Sequence, residues 1–232
     1  MTDFFRFPHT PHLAWLSEGI PRNDKVMETQ DVVLLLSSML VVEEKVDGAN
    51  LGFSVSEEGD LLAQNRGTYL SPDFAHEQFR PLWSWLAARE QRLVEALWPN
   101  LMLFGEWCFA VHSIRYDRLP DWFLGFDVYD RESGRFWDTA RRDQLLDHLG
   151  LAATPHVATG RFTLDELREL LGDSRLGSEA MEGIVVRRDT DGWTSERAKL
   201  VRPSFTQSIE EHWSRGPLRR NTLATGGAPS WR

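Results

Sequence analysis

A charged stretch between two apolar runs restricts the possible folds of this chain more than any other feature. The stretch is Glu43-Glu44-Lys45-Val46-Asp47-Gly48-Ala49-Asn50; it follows a Val/Leu-rich run over 32–42 and precedes residues 51–55, whose apolar side chains alternate at strand period. We therefore predict strand, turn at the lysine, and strand over residues 31–55. An ammonium group is rarely buried unless it is paired. Two interpretations follow: a Lys–Asp pair beside a β-turn, or a nucleophilic amine whose pKa is lowered by nearby cations and a metal.

The composition is that of one globular domain with a restricted basic region. The chain has 232 residues, of which 41% are hydrophobic and 26% are charged. Its formal net charge of -9 argues against a protein that coats nucleic acid through bulk charge. From Lys199 onward, however, six Lys or Arg residues face two Glu residues, so a local basic groove is compatible with the sequence.

Cysteine usage and the N-terminus predict a cytoplasmic protein. The single cysteine, Cys108, excludes an intrachain disulfide and a zinc site built from cysteines. Residues 1–5 lack the basic start and the long apolar run of a signal peptide, and no stretch approaches the length of a membrane span. We expect a reducing compartment and no membrane association.

The remaining periodicities predict an α+β domain in which antiparallel sheets are flanked by helices. Residues 7–13 should be extended, and we expect this segment either to hydrogen-bond locally or to pack against the main pocket; a metal site at its two histidines is a minor alternative. The expected elements along the chain are a hairpin turn over 57–60 with a return strand over 61–64, a helix from Ser71 to 98 that Pro81 kinks or splits, strands over 102–110 and 123–129, a helix over 139–150 with a Thr N-cap, a helix from Thr163 to about 172, and strands over 183–186 and 198–201.

Five further stretches follow the lysine in a fixed order. They are Gln64-Asn65-Arg66-Gly67, Phe104-Gly105-Glu106-Trp107, Phe123-Leu124-Gly125-Phe126-Asp127-Val128-Tyr129, Glu182-Gly183-Ile184-Val185-Val186 and Arg197-Ala198-Lys199-Leu200. Each has a structural alternative, such as a simple hairpin turn at Asn65-Arg66-Gly67 or a core phenylalanine at Phe126. Together with Lys45-Val46-Asp47-Gly48, the series resembles the motifs of the covalent nucleotidyltransferase superfamily, which includes ATP-dependent DNA ligases, RNA ligases and mRNA capping guanylyltransferases. Within it, the chain is most similar to small bacterial RNA ligases of the nick-sealing and editing type.

The resemblance implies a role for each motif residue. It implies that Lys45 accepts the nucleotide, and that Lys199 and Glu182 serve the phosphate chemistry. It implies that Glu44 and Phe126 contact the adenine, that Arg66 contacts ribose and phosphate, and that Glu106 contacts a ribose hydroxyl. Two further residues of the implied nucleotide site are Asn50, which follows the first motif, and Arg197. Arg197 stands where the family usually has lysine; it keeps the charge and would hold phosphate or shape the pocket. Glu182 and Asp47 offer the oxygen ligands that Mg²⁺ or Mn²⁺ prefers.

The resemblance also implies an activity and a domain plan. The expected fold is a nucleotidyltransferase domain, the ATP-grasp-like adenylation domain of ligases, over residues 1–205 and without an OB domain. Residues 206–232 should form a short helix and a basic, partly disordered tail, with the disorder expected in the Gly/Ala/Pro/Ser-rich part after Thr222. The tail either contacts backbone phosphates or packs on the domain through Trp213. The implied enzyme is an ATP-dependent RNA ligase that joins a 3′-hydroxyl to a 5′-phosphate in a nicked duplex or broken strand, with a possible end-healing kinase or phosphatase partner.

Two other classes stay open at the level of sequence. One is a capping-type guanylyltransferase or a DNA ligase, which nucleotide choice would distinguish. The other is a nucleotide-binding or nucleic-acid-binding module whose catalysis has decayed. Decay usually removes the lysine or the metal carboxylate, whereas Lys45 and Glu182 are both present.

Overall fold

The computed structural model of the chain describes residues 4–17, 25–208 and 217–224. It confirms a mixed helix and sheet architecture in which nearly all strand pairs are antiparallel. The helices are α1 Thr29–Leu36, α2 Leu82–Ala87, α3 Glu90–Leu97, α4 Thr139–Leu149, α5 Leu164–Glu169 and α6 Pro203–Ser208, with a 3-10 turn at Glu77–Phe79. The strands are β1 Leu40–Lys45, β2 Ala49–Val55, β3 Leu61–Gln64, β4 Leu101–Trp107, β5 Phe123–Asp130, β6 Arg135–Phe136, β7 Ala152–Ala153, β8 His156–Gly160, β9 Gly183–Thr190 and β10 Trp193–Val201.

The strands form two sheets, each covered by helices on one face. The first sheet has the order β10-β9-β1-β8, and α1 and α5 pack on it through Leu35 and Leu167. The second sheet has the order β3-β2-β4-β5-β6, with the short β7 parallel to β5. Helices α2, α3 and α4 cover the second sheet with an apolar cluster that includes Trp85, Leu93 and Leu146.

The chain crosses from the first sheet to the second immediately after Lys45. Strand β1 ends at Lys45, and β2 begins at Ala49 in the other sheet. Gly48 lies in the crossing, where a Cβ atom would stand 2.8 Å from the carbonyl oxygen of Trp107. Only glycine fits this close backbone approach, so the glycine after Asp47 serves the crossing itself.

The prediction of a strand from residue 31 was wrong. The first half of the apolar run forms helix α1, and only β1 is a strand. In α1, Leu35 is buried while Val33 and Leu34 are 62% and 58% exposed, so a single face of the helix packs on the sheet. A continuous Val/Leu run carries neither a helix period nor a strand period, so its state depends on tertiary packing.

Several other boundaries differ from the predictions. The helical region after Ser71 begins at the 3-10 turn Glu77–Phe79 rather than at residue 71, and Pro81 does split it, because Pro81 is the N-cap of α2. Asp138, not Thr139, caps α4, and its side chain accepts a hydrogen bond from the Arg141 amide. The capping box at Thr163 is confirmed, although α5 ends at Glu169. The hairpin β2–β3, the strands β4 and β5, and the strands β9 and β10 are also confirmed.

The C-terminal predictions fall only in part on described residues. Residues 209–216, which hold most of the expected helix and Trp213, and residues 225–232 lie outside the described ranges. Disorder after Thr222 is wrong for the next two residues, because Leu223 pairs with Leu119 and the Ala224 amide donates to the Leu119 carbonyl. No helix within the described part of the chain has both the length and the apolar composition for crossing a membrane.

A buried network of charges holds the two sheets at a fixed distance. Glu43 of β1 is 2% exposed, and its two oxygens accept from Arg142 of α4 and Arg187 of β9, each at 2.6 Å. Arg187 also donates to Asp127 of β5 at 2.6 Å, and Arg197 of β10 pairs with the other Asp127 oxygen. Burial alone would raise the pKa of Glu43, but the two guanidinium groups outweigh burial and lower it to about 2.

We predict that Glu43→Gln lowers the free energy of unfolding by about 3 to 5 kcal/mol, since it leaves two buried guanidinium groups without their shared carboxylate. Urea unfolding followed by tryptophan fluorescence measures the change. Because the Glu43 pKa falls from 4.5 to about 2 on folding, its stabilisation is complete above 4.5 and is lost as the pH falls towards 2. The variant should lack this part of the acid dependence.

The matched control is Glu58→Gln, a change at an exposed residue of the β2–β3 turn. Its free energy of unfolding should stay within about 0.5 kcal/mol of wild type. Equal stability of the two variants at neutral pH would contradict the structural role of the network.

Candidate active site

A cavity of about 220 Å³ opens between the two sheets beside the crossing. It collects residues from strands that are far apart in sequence, together with the N-terminal segment. Its lining consists of Phe7, His9, Thr10, Glu43, Glu44, Lys45, Val46, Asn50, Arg66, Glu106, Phe126, Asp127, Thr154, Val185, Arg187, Arg197 and Lys199. The expected packing of the N-terminal segment against the pocket is thereby confirmed. Every predicted nucleotide-site residue lies in this lining; Glu182 contacts it through Lys45, and Asp47 lies just outside it.

Strand alternation explains why the first sheet presents its charged residues to the cavity. In β9 and β10, Ile184, Val186, Ala198 and Leu200 point into the apolar cluster beneath α1 and α5. Successive side chains of a strand point to opposite faces, so Val185, Arg187, Arg197 and Lys199 line the cavity. The register places Lys199 opposite Val185 and Arg197 opposite Arg187. The two cationic residues of the last motif therefore stand side by side on the cavity wall.

A bulge in the second sheet places Phe126 in the cavity. Phe104 pairs with Asp127 and Gly105 pairs with Gly125, so Phe126 has no partner across β4. A bulge of this kind turns a side chain out of the regular alternation. The carbonyl oxygen that the bulge frees accepts from Arg142 at 2.8 Å and from Arg187 at 3.1 Å. The half-buried ring packs edge-on against Phe7, with ring centroids 5.3 Å apart.

Lys45 is held by a carboxylate of the first sheet. Its Nζ donates to Glu182 Oε2 at 2.8 Å, and its side chain keeps 27% of its exposed area. The chain contains three lysines, Lys25, Lys45 and Lys199, and two of them line this cavity. The lysines are therefore concentrated at this cavity and not spread over the surface of the protein.

The lowering of the Lys45 pKa was expected from nearby cations together with a bound metal, and the protein without ligands does not test it. Burial by itself lowers this pKa, but attraction to Glu182, Glu106 and Asp47 outweighs burial, so the pKa is raised. The ligand-free protein therefore holds Lys45 as an ammonium ion.

Burial destabilises the charged forms of the two glutamates near Lys45. Burial raises the pKa of Glu106 to about 8, and repulsion from Glu182 and Asp47 adds to the rise against the attraction of Lys45. Burial likewise raises the pKa of Glu182 to about 7, although Lys45 opposes the shift. The site therefore favours additional positive charge near these carboxylates.

The carboxylates of Glu44 and Asp47 are already hydrogen-bonded. Glu44 is 1% exposed and accepts from the Ser174 hydroxyl at 2.5 Å and from the Arg175 amide at 3.0 Å. Asp47 Oδ2 accepts from the amides of Ser113 and Ile114 at 2.7 and 2.9 Å. These bonds fix Asp47 to the loop after β4, which is a structural task different from the predicted metal ligation.

The two arginines of the predicted site differ in their surroundings. Arg197 pairs with Asp127 and lies over the rings of Phe7 and Phe136, 4.7 and 4.2 Å from their centroids. This arrangement corresponds to the pocket-shaping alternative for Arg197. Arg66 is exposed in a turn closed by Asn65, whose side chain accepts from the amides of residues 67 and 68. The turn interpretation holds, and it presents Arg66 at the cavity mouth.

The donor set fits a divalent cation that is shared with a bound phosphate group. No group of three or more His, Cys, Asp or Glu residues within the described ranges is arranged to hold a metal alone. Magnesium commonly uses one or two carboxylates and completes its shell with water and substrate phosphates. Glu182 supplies such a carboxylate, and Glu106 adds a second buried carboxyl group near it. Asn50 Oδ1 is buried without a hydrogen-bond partner among the described residues, so it is available to a ligand.

Sequence reasoning missed the residues that support this site. Arg142, Arg187 and Thr154 lie in no motif, and Glu43 was not assigned a role. A charged residue flanked by apolar neighbours, as at Glu43 and Arg187, indicates a buried ion pair, although it does not name the partner. Nothing in the sequence marked the bulge at Phe126.

Several solved structures have a fold similar to that of this chain. An RNA ligase of Naegleria gruberi with PPi matches with a TM-score of 0.60 and 20% identity over 89% of this chain and 64% of that chain. A mutant of the same ligase with ATP and Mn matches with a TM-score of 0.64 and 18% identity over 90% and 60%. A third structure, a mutant with AMP and Mn, gives 0.62 and 17% over 89% and 64%. The chain thus spans about three fifths of the length of these proteins, and the likeness concerns the fold.

The sequence itself matches a family model. No curated protein sequence matches the chain. The model described as RNA ligase covers residues 38–201, a range that contains every motif from Lys45 to Lys199 and more than two thirds of the chain. The chain belongs to the RNA ligase family.

Proposed function

We propose that this protein is an ATP-dependent RNA ligase that becomes adenylylated on Lys45, with residues 1–205 as its nucleotidyltransferase domain and 206–232 as a C-terminal extension. The observation that carries the proposal is Lys45 in a cavity with Lys199 and Glu106, at the crossing between the sheets, with its Nζ paired to Glu182. Family membership supports it. Structures of similar fold that hold ATP and Mn, or AMP and Mn, support the choice of nucleotide and of a divalent metal.

In the first step, Lys45 Nζ attacks the α-phosphorus of ATP and pyrophosphate leaves from the opposite side. The new P–N bond makes a phosphoramidate, and the amine loses its proton. Because negative charge spreads over the phosphoryl oxygens during transfer, nearby cations stabilise the transition state. Lys199 lies on the cavity wall and supplies such a charge. Arg197 shapes the pocket from its pair with Asp127.

The other cavity residues orient the nucleotide. The Phe126 ring offers a face for stacking on the base, and the hydrogen bonds to the bulge carbonyl fix the backbone that carries the ring. Glu44 lies at the same wall and retains lone pairs for the base, beyond those that Ser174 and Arg175 use. Glu106 and Asn50 are opposite each other in β4 and β2, where both would reach ribose hydroxyls.

The Lys45 ammonium must lose its proton and its pair with Glu182 before it attacks. A bound Mg²⁺ or Mn²⁺ at Glu182 would supply positive charge that competes with the ammonium for this carboxylate and polarises the phosphate. Asp47, by its hydrogen bonds to the loop after β4, holds the backbone that follows the nucleophile. We propose Glu182, rather than Asp47, as the direct carboxylate of the metal.

Two later steps complete the ligase reaction. AMP passes from Lys45 to the 5′-phosphate of an RNA strand, and the neighbouring 3′-hydroxyl then displaces AMP to form the phosphodiester bond. Arg66 at the cavity mouth is exposed and would contact the strand. The substrate is a nicked or broken RNA with 3′-hydroxyl and 5′-phosphate ends, which an end-healing kinase and phosphatase would prepare. We place this reaction in the cytoplasm, where the free and buried Cys108 stays reduced.

We predict that incubation with α-labelled ATP and Mg²⁺ or Mn²⁺ leaves covalent label on the wild type and none on Lys45→Ala, because only the Lys45 amine can form the phosphoramidate. Denaturing electrophoresis measures the label. The matched control is Lys25→Ala, a change at an exposed lysine. This variant should take up the same amount of covalent label as the wild type.

Three results would redirect the assignment. Label from GTP alone would favour a capping-type guanylyltransferase. Sealing of nicked DNA in preference to nicked RNA would favour a DNA ligase. Absence of covalent label with any metal would contradict the ligase proposal and would favour the alternative of a binding module whose catalysis has decayed.

A second prediction concerns the base. In a Lys45→Ala background, where binding proceeds without chemistry, Phe126→Ala should raise the Kd for ATP about tenfold, because stacking on an aromatic ring contributes about 1 to 3 kcal/mol per base. Isothermal titration calorimetry measures Kd. Phe74→Ala, at a ring that is 90% exposed, should leave Kd unchanged. An unchanged Kd for Phe126→Ala would show that the ring is not the base platform.

A third prediction tests the raised pKa of Glu106. The Glu106 pKa rises from 4.5 to about 8 on folding, so the folded protein binds more protons than the unfolded chain between these values. Stability therefore falls as the pH rises through this window. Without divalent metal, Glu106→Gln should remove this part of the fall, about 3 to 4 kcal/mol between about pH 5 and about pH 8. Parallel pH profiles of unfolding free energy for both proteins would contradict the raised pKa of Glu106.

A further inference from the structure

The turn that follows Lys45, between β1 and β2, is held by residues of the long loop between β4 and β5, residues 108–122. Asp47, two residues after Lys45, accepts from the Ser113 and Ile114 amides, and its own amide donates to the Tyr116 hydroxyl at 2.8 Å. Tyr116 is completely buried in an apolar cluster that also contains Val46. Asp47 is therefore tied to this loop through both its backbone amide and its carboxylate.

The loop in turn takes backbone partners from residues 217–224, which we call the C-terminal strap. The Val111 amide donates to the Arg219 carbonyl at 2.8 Å, and the Thr222 amide donates to the Tyr116 carbonyl at 2.9 Å. Leu119 both donates to Thr222 and accepts from Ala224. More than 90 residues of sequence separate the strap from the loop, so this contact depends on the tertiary fold.

One side chain of the C-terminal strap forms hydrogen bonds with three backbone groups of the loop. Asn221 is 4% exposed, and its Oδ1 accepts from the Tyr116 amide at 2.8 Å. Its Nδ2 donates to the carbonyls of Cys108 at 2.8 Å and Ala110 at 3.1 Å. An amide side chain is the group that offers one acceptor and two donors in this geometry. Its removal would leave buried backbone groups on both branches of the loop without partners.

We propose that Asn221 is a positioning residue for Lys45, acting through Tyr116 and Asp47. Asn221 sets where the loop backbone stands, the Tyr116 hydroxyl and the 113–114 amides transmit that position to Asp47, and Asp47 fixes the turn from which Lys45 reaches the cavity. The inference rests on the proposed function, since it assigns Asn221 a part in the adenylylation of Lys45. In-line attack depends on placement of the nucleophile to within about 1 Å, so a loosened turn slows the reaction even when ATP still binds.

The test is single-turnover labelling of the full chain with α-labelled ATP, in which the rate constant and the final amplitude are read separately. The amplitude reports the folded, competent fraction, whereas the rate constant reports how well Lys45 is placed in that fraction. We expect Asn221→Ala to lower the rate constant at saturating ATP at least about tenfold, with the ATP concentration for half-maximal rate nearly unchanged. Thr222→Ala is the matched control, because Thr222 is exposed and contacts the loop through its backbone.

A second variant keeps the inference testable if Asn221→Ala folds poorly. Tyr116→Phe removes only the hydroxyl that accepts from the Asp47 amide, and it should also lower the rate constant with full amplitude. If both residues act through one path, the double variant should be no slower than the slower single variant, a non-additive result.

Three outcomes would overturn the inference. A loss of amplitude at an unchanged rate constant in Asn221→Ala would show a purely structural role. A wild-type rate constant in Tyr116→Phe would break the path, including the case in which Asn221→Ala takes no label. A wild type that takes no label would contradict the proposed function first and this inference with it, and that result is distinct from the other two.

Discussion

The carboxylate of Glu43, shared between Arg142 and Arg187, is the interaction on which the rest of the structure depends. It joins a strand of the first sheet to a helix packed on the second, and Arg187 extends the link to Asp127. The same two guanidinium groups also satisfy the carbonyl that the Phe126 bulge frees. A buried ion network is costly unless every member is paired. Here complete pairing sets the width of the cavity and the position of its aromatic wall together.

The chemistry of the cavity follows from the buried carboxyl groups near Lys45. Glu106 and Glu182 have raised pKa values of about 8 and about 7, and they hold Lys45 as an ammonium ion in the ligand-free protein. Under the proposed function, Glu182 would hold a divalent cation that is shared with the nucleotide, and the added positive charge would favour release of the Lys45 amine. Nucleophile activation would then be coupled to substrate binding, because the carboxylates that keep Lys45 protonated are also the groups that attract a metal.

The motif order located the cavity residues from sequence, since Lys45, Glu106 and Lys199 each lie in a strand and converge on one cavity. Three features could not be predicted. The α1 segment has no apolar period, so packing decides its state. The bulge at Phe126 depends on the register between two strands. The contacts of Asn221 join segments more than 90 residues apart, and no local pattern encodes such a pairing.

The central claim is that one lysine of three carries the nucleotide, and the site of the covalent bond tests it most directly. The protein would be incubated with ATP and Mg²⁺ or Mn²⁺, digested, and analysed by tandem mass spectrometry for peptides that gain the mass of AMP. The account predicts the adduct on Lys45 and on neither of the other two lysines. An adduct on Lys199 or Lys25, or no adduct when ATP and metal are saturating, would contradict it.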